Sequence, residues 1–484
     1  MSISSSLVNA LSGLNAAARL ADVVASNTAN AMTEGYARRE LSLSSKSLGG
    51  DGAGVRIDGV NRVTNAVVQR DLRLANSAAE GASVRADFYA RIETSLGLPE
   101  DAYSLSSKLA NFESALIEAS SRPDSESRLN AVLKAAQEIT NHLNATAGTL
   151  EDIRREADQE IADQVDTLNS ALVEVDELNA KILAQKSAGR DATALMDQRD
   201  VLIDTISNIL PVRVETRDHD QVALYTSGGA ILLEGTPAQV GFEATGFISA
   251  DMTLASGALS GLTLNGRPIS SKDTGVLGGG SLGALFEIRD ELAPAAQTQI
   301  DAFARDLIER FADPAMDTTL NAGDAGLFTD NGFAFDSANE LGLAGRINVS
   351  ALVDPAQGGA VWKLRDGLGA TSAGDPGNAT LLTAMANTLE TARLPASGSF
   401  SDGPNSTADL AADLLSQISG GRVFAEDTQT YRVAQQGALH EMALADGVDT
   451  DYEMQMLLQV EQVYSANARV IQTIDALISQ MLEL

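Results

Sequence analysis

Several groups of residues have types and spacings that invite chemistry. Gly278-Gly-Gly-Ser-Leu-Gly283 fits G-x-G-x-x-G and opens a helix, the pattern in which glycines let backbone approach a pyrophosphate. No strand leads into it, no βαβ alternation surrounds it, and the Lys-Ser/Thr of a P-loop is missing. The expectation is a flexible start to the helix at Leu282. Asp446, Asp449, Asp451 and Glu453 cluster, but without the spacing and central glycine of a calcium loop. They read as solvated carboxylates at a helix end. His142, His219 and His440 are scattered with no adjacent acid or nucleophile, which supports neither a triad nor a zinc site. Asp197, Arg199 and Asp200 beside a helix start read as a local charge network. Cysteine is absent, so disulfides and thiolate ligands are excluded. No catalytic residue, cofactor or metal is expected, and no enzymatic activity.

The patterning is far more informative at the two ends of the chain. Between Asp451 and Leu484 there is no Gly or Pro, and Leu457, Val460, Tyr464, Asn467, Ile471, Ile474, Ile478 and Met481 recur at steps of three and four. Such a heptad seam supercoils a helix against a partner. Val463, Val470, Leu477 and Leu484 widen the stripe along one flank. Asn467 is the polar exception, a type that commonly fixes register within a seam. At the other end, no side chain is charged before Arg19, and Leu7, Leu11, Leu14, Ala18, Ala21 and Ala25 repeat the same steps with smaller residues. Small residues let helix backbones approach closely. The two ends are therefore expected to pair as an antiparallel coiled-coil stem, with apolar surface left over for further chains.

The chain between them is too long, at 484 residues, for a single core. The expected fold is mainly α with a β-rich insertion. Residues 1–45 hold the first half of the stem and a turn, 46–210 a long-helix body, and 211–275 an antiparallel β domain. Residues 276–312 return to the body as a helix, 313–368 are rich in strands and loops, 369–448 are helical, and 449–484 complete the stem. The longest expected helix is Leu150 to Gln185, with Val165, Leu168, Leu172, Val175 and Ile182 on one face. Strand-like alternation begins at Val212, after Pro211.

Acidic residues outnumber basic ones 66 to 34, a net charge of −32. Such a surface repels phosphate backbones and anionic membranes, so nucleic acid is not an expected partner. There is no apolar run of about twenty residues to span a bilayer. The start at Met1 lacks the basic and apolar regions of a secretory signal.

Three stretches, taken together, resemble one family. Ala25-Ser-Asn-Thr-Ala-Asn-Ala-Met-Thr-Glu-Gly-Tyr-Ala-Arg38 is similar to the N-terminal signature of flagellar rod, hook and hook-associated proteins, A-x-N-[IL]-A-N-x-x-T-P-G-Y-x-R. Asn27, Asn30, Thr33, Gly35, Tyr36 and Arg38 match, while Thr28 and Glu34 depart from the pattern. Tyr464-Ser-Ala-Asn-Ala-Arg-Val-Ile-Gln-Thr473, which includes Arg469, resembles the C-terminal signature of the same axial class. Leu195-Met-Asp-Gln-Arg-Asp-Val-Leu202 resembles a segment particular to the hook-associated members at the hook–filament junction. The resemblance implies a structural adaptor ring between hook and filament, assembling through its terminal helices. It implies as partners further copies of itself, the hook protein, a second junction protein and an export chaperone on the C-terminal helix. It also implies secretion through the flagellar type III route, with a cytoplasmic stage beforehand. A hook or distal-rod protein, or a cytoplasmic coiled-coil scaffold, are the alternatives.

Overall fold

In the computed structural model of the chain, residues 3–48, 51–272 and 274–482 are described; Leu484 of the C-terminal stripe lies outside them. The chain opens with helix α1 (Ile3–Ala29), the hairpin strands β1 (Arg39–Leu48) and β2 (Asp51–Arg62), and helices α2 (Ala66–Leu96), α3 (Leu105–Ser121), α4 (Glu126–Ser187) and α5 (Thr193–Ile209). Strands β3 (Val212–Thr216), β4 (Val222–Thr226), β5 (Ile231–Glu234), β6 (Thr236–Pro237), β7 (Val240–Gly241), β8 (Thr263–Leu264) and β9 (Arg267–Pro268) follow. The chain then returns to helices α6 (Gly280–Glu287) and α7 (Ala293–Phe311), joined through a single π-helical turn over 288–292. Strands β10 (Phe328–Asp330) and β11 (Ile347–Val349) precede helices α8 (Lys363–Asp366), α9 (Thr380–Glu390), α10 (Thr407–Ala445) and α11 (Thr450–Leu482).

Helix α4 is the axis of the body. Its 62 residues extend about 93 Å at 1.5 Å per residue, so it begins a long way before the expected Leu150. Gly148 lies inside it; the roughly 1 kcal/mol that an interior glycine costs is outweighed by burial on both sides. Leu129, Val132, Ile139, Leu143, Leu150, Ile161, Val165, Leu168, Leu172, Val175 and Ile182 are all buried, one continuous stripe at helical spacing. Helices α3, α5, α6 and α7 pack around it. Where α3, α7 and β10 converge, Phe112, Phe311 and Phe328 meet with ring centroids 5.1–5.9 Å apart.

The same helix anchors the β elements through three amides, Asn179 buried and Asn144 and Asn169 half-buried. Asn169 donates to Val240 O at 2.8 Å and accepts from Val240 N at 2.9 Å. Asn179 treats Val222 in the same way, at 2.9 and 3.1 Å. Asn144 donates to Ala344 O and Ile347 O. Each side chain satisfies backbone groups that burial against a helix would otherwise orphan. The inserted strands form two antiparallel sheets, β3-β4-β5-β6 and β7-β8-β9, each in chain order.

Some expectations need correcting. The boundary at residue 45 falls inside the β1–β2 hairpin, which packs on α1 and belongs with the stem. Gly278–Gly283 is tightly packed: a Cβ on Gly280 would sit 2.3 Å from Ile209 O and 2.8 Å from Ser77 Oγ. Those glycines bring α6 against α2 and the end of α5. Helix α10 runs unbroken through Gly420-Gly421, where a Cβ on Gly421 would meet the Tyr89 ring at 2.4 Å. It lies antiparallel to α2, held by Gln429 to Ser83, Gln436 to Asn76 and Arg422 to Glu93.

Arg289, in the π turn, has no exposed side-chain surface. It pairs with the equally buried Asp158 of α4 at 2.6 Å, donates to Ser260 O, and lies 4.8 Å from the Phe286 ring. Arg289→Met should cost about 3–5 kcal/mol, because Asp158 is left as a buried unpaired charge. Urea unfolding of the body measures this, and a loss under 1 kcal/mol would contradict it.

Candidate assembly interface

Helix α1 ends in a turn built around one amide. Asn27 is almost fully buried. Its Oδ1 accepts from Arg39 N at 3.0 Å and from the Tyr36 hydroxyl at 2.9 Å, and its Nδ2 donates to Arg39 O at 2.9 Å. That closes the loop from 27 to 39. The same Nδ2 donates to Glu453 Oε1 at 2.8 Å, across to the start of α11. Asn30 donates to Ser26 O and Thr33 to Asn30 Oδ1, which satisfies groups at the helix end. Gly35 takes φ 74°, and a Cβ there would lie 2.3 Å from Val201 of α5, so both backbone freedom and space require glycine. Arg38 lies over the Tyr452 ring and Arg39 over the Tyr36 ring.

Glu453 is thus not the solvated carboxylate expected of it. Burial raises its pKa, opposed by the Asn27 amide and the nearby Arg38. Asp449 instead caps α11 by accepting from Asp451 N and Tyr452 N.

The turn is joined to the body by alternating charges. Asp197 accepts from Ala37 N and pairs with Arg39 at 3.2 Å and Arg62 at 2.8 Å. Arg62 reaches Asp200 at 2.6 Å, and Arg73 reaches Asp200 at 3.3 Å and Asp204 at 2.6 Å. The hairpin, α2 and α5 are laced together. Burial raises the pKa values of Asp197 and Asp204 against the pull of these arginines. Arg199 points elsewhere, donating to Asn179 Oδ1 and Asp220 O. Two of the sequence stretches that carry the family resemblance, around Asn27 and around Asp197, therefore meet in space. Arg39, Arg62, Arg73 and Asp204 went unnoticed in the sequence, since an arginine's partner a hundred residues away leaves no local signal.

The stem is antiparallel, with Asn27 beside Glu453 and Gly13 beside Asn467. Of the expected seam on α11, Val460 and Ile474 are buried, and Asn467 and Ile471 are half-buried. Leu457, Tyr464, Arg469, Ile478 and Met481 remain exposed. On α1 the buried residues are Ala10, Ala16, Ala17, Val23, Val24 and Asn27, while Leu7, Leu11 and Ala18 are exposed and Leu14 half-buried. The buried face of α1 lies roughly a quarter turn from the expected stripe, because it is shared between α11 and the β1–β2 hairpin. Asn467 donates to Val463 O of its own helix at 3.0 Å. Its packing partner is Gly13, where any Cβ would lie within 3.0 Å of its side chain.

The remaining chemical candidates do not converge. His142 bonds Leu96 O, His219 stands at φ 58°, and His440 lines the cleft beside the turn.

Asn27→Ala should free the stem from the turn, a loss on the order of 2–4 kcal/mol for several buried bonds, one of them to a charge. Glu453 would lose its donor, and its docked-state pKa would rise further. Docking is then strongest below the undocked pKa and falls as pH rises through the docked one. Protease cleavage within 30–39 should therefore be faster at pH 8 than at pH 5 in the variant; equal rates would refute the coupling. Gly13→Leu should separate α1 from α11 at Asn467. Hydrogen exchange would register lost protection in both helices, with the body unchanged.

The chain is similar to several known proteins. Residues 89–326 match the sequence model of the family described as flagellar hook-associated protein FlgK helical domain. Flagellar hook-associated protein 1 of Bacillus subtilis is 24% identical over an alignment covering 98% of this chain and 97% of that protein. The proteins of the same name from Salmonella typhimurium and Escherichia coli K12 are 29% and 26% identical, over 59% and 49% of this chain and 52% and 44% of their own lengths. The alignments thus span about half of these two relatives. A solved flagellar hook junction protein FlgK from Burkholderia pseudomallei is similar at a TM-score of 0.44 and 19% identity, over 54% of this chain and 46% of that one. With a match to the helical-domain model over 89–326 and a relative aligned from end to end, the chain is similar along its length to the flagellar hook-associated proteins.

Proposed function

We propose that this chain is a structural subunit of the bacterial flagellum that forms the adaptor at the hook–filament junction and assembles through α1 and α11. The observation that carries the reading is the half-covered stem. Leu7, Val8 and Leu11 on one helix, and Leu457, Leu458, Val463, Tyr464, Val470, Leu477 and Met481 on the other, are all more than a third exposed. So much apolar surface on paired helices favours burial by neighbouring chains. The relatives named for hook association support the reading, and the helical domain at 89–326 favours it over a hook or distal-rod protein. The expected partners are further copies, the hook protein, a second junction protein, and a chaperone on α11 before export. The place of action is the extracellular flagellum, reached by type III export. The role is structural, without catalysis.

Removing residues 466–482 and the two that follow tests this directly. Among its described residues the deleted piece holds one buried side chain, Ile474, so the melting transition of the body should barely move. The cell should make hooks yet release unpolymerised filament subunit into the medium. Each aliphatic side chain buried at the junction contributes roughly 1.5–3 kcal/mol, so losing the exposed Val470, Leu477, Ile478 and Met481 together is decisive. Retained filament growth, or absence of the intact chain from sheared flagella, would refute the reading.

A further inference from the structure

The start of α10 closes a cavity of about 240 Å³ against α3 and α9. Leu109 and Ala110 of α3 and Leu389 of α9 give it an apolar wall, and two carboxylates from different helices, Glu113 and Glu390, stand in it. Their carboxyl groups lie within hydrogen-bonding reach of one another. Burial and the neighbouring Glu390 both push the pKa of Glu113 up, and no arginine or lysine acts on it. Like charges held this close repel unless something between them carries positive charge.

A further oxygen in the same wall points to a ligand. Thr407, in the first turn of α10, lines the cavity and is almost fully buried, yet its Oγ1 has no hydrogen-bond partner. Hydroxyls are rarely left so, because burying one unpaired costs free energy. The helix ends favour a cation as well. Glu390 is the last residue of α9, whose C-terminus carries partial negative charge. The opposing positive end of α10 is offset by its capping box, in which Ser406 and the acidic Asp409 bond each other's backbone.

We propose that this cavity binds a calcium ion, held by the carboxylates of Glu113 and Glu390 and the hydroxyl of Thr407, with water completing its shell. Calcium takes about six to eight oxygens in loose geometry, which suits ligands brought together from three helices. Magnesium demands a tighter octahedron and gives up its water reluctantly. With two charged ligands the site is weak, on the order of 10⁻⁴–10⁻³ M, the range of extracellular modules. The ion fastens the end of α9 to the first turn of α10, the helix that runs along α2 toward the base of the stem. Binding needs only the folded chain, whatever its place in the flagellum.

Hydrogen exchange on the full chain, read segment by segment during a calcium chloride titration, tests this. At about 10 mM, exchange around 380–390 and 407–411 should slow by up to about tenfold, and magnesium chloride at the same concentration should do much less. Glu113→Gln and Glu390→Gln should each abolish the local effect. Thr407→Val, of nearly the same volume, should weaken it, and an unchanged response there would overturn the site as drawn. A chain of net charge −32 also gathers cations diffusely. Slowing spread over all segments, and equal in the Gln variants, would therefore overturn the proposal, as would equal protection by magnesium. The rival is a proton shared between the two carboxyls. Calcium would then add nothing to the unaltered chain, while Glu113→Gln would itself slow exchange at the start of α10 by donating its amide to Glu390. That result overturns the calcium site without touching the junction function.

Discussion

The body depends on the burial of a single stripe along one very long helix. Isolated helices draw little stability from propensity alone, and α4 is held instead by neighbours that cover it along most of its length. Its stripe is mostly apolar where helices cross it, apart from Asp158 paired with Arg289, and it bears amides where strands or loops approach at Asn144, Asn169 and Asn179. That division explains how a chain poor in aromatics supports a β-rich insertion: the strands are short, and their exposed backbone groups are satisfied by side chains of a helix. Where the insertion presses deepest, the guanidinium of Arg289 fills space between rings and carboxylates.

The stem follows the opposite logic. Neither α1 nor α11 is enclosed, and their shared contact is narrow because alanine and glycine permit close approach without adding much area. What holds the stem in place is polar and located at its base, around Asn27, Glu453 and the Arg–Asp series running from Arg39 to Asp204. A joint made of directional bonds leaves the apolar sides of the stem available to other molecules.

The helices, the order α, β, α and the meeting of the chain ends were legible in the sequence because each leaves a local, periodic signal. Val165, Leu168, Leu172 and Val175 announced the buried face of α4 by spacing alone. The face of α1 was not legible in the same way. Leu7, Leu11 and Ala18 have the right period for a seam, but periodicity cannot say which of two neighbours, helix or hairpin, a stripe will meet. Gly280 was misread for a related reason, and Gly421 shows the same thing. In sequence a glycine signals freedom, and here it marks contact with Tyr89 or Ile209 brought close by tertiary packing. Glu453 looked solvated because its donor lies more than four hundred residues away in the chain.

The alternating charges at the base of the stem have a mechanical consequence. Apolar contacts slide at little cost, since one methyl group replaces another along the surface. Fork-shaped guanidinium–carboxylate pairs do not, because their strength depends on angle as well as distance. To twist the stem about its own axis relative to the body, Arg39 and Arg62 of the hairpin would have to leave Asp197 and Asp200 on α5 nearly in unison. Bending is opposed less, because a tilt toward or away from α5 loads these pairs one after another. The joint is therefore stiff in torsion and more compliant in flexion, as a universal coupling is.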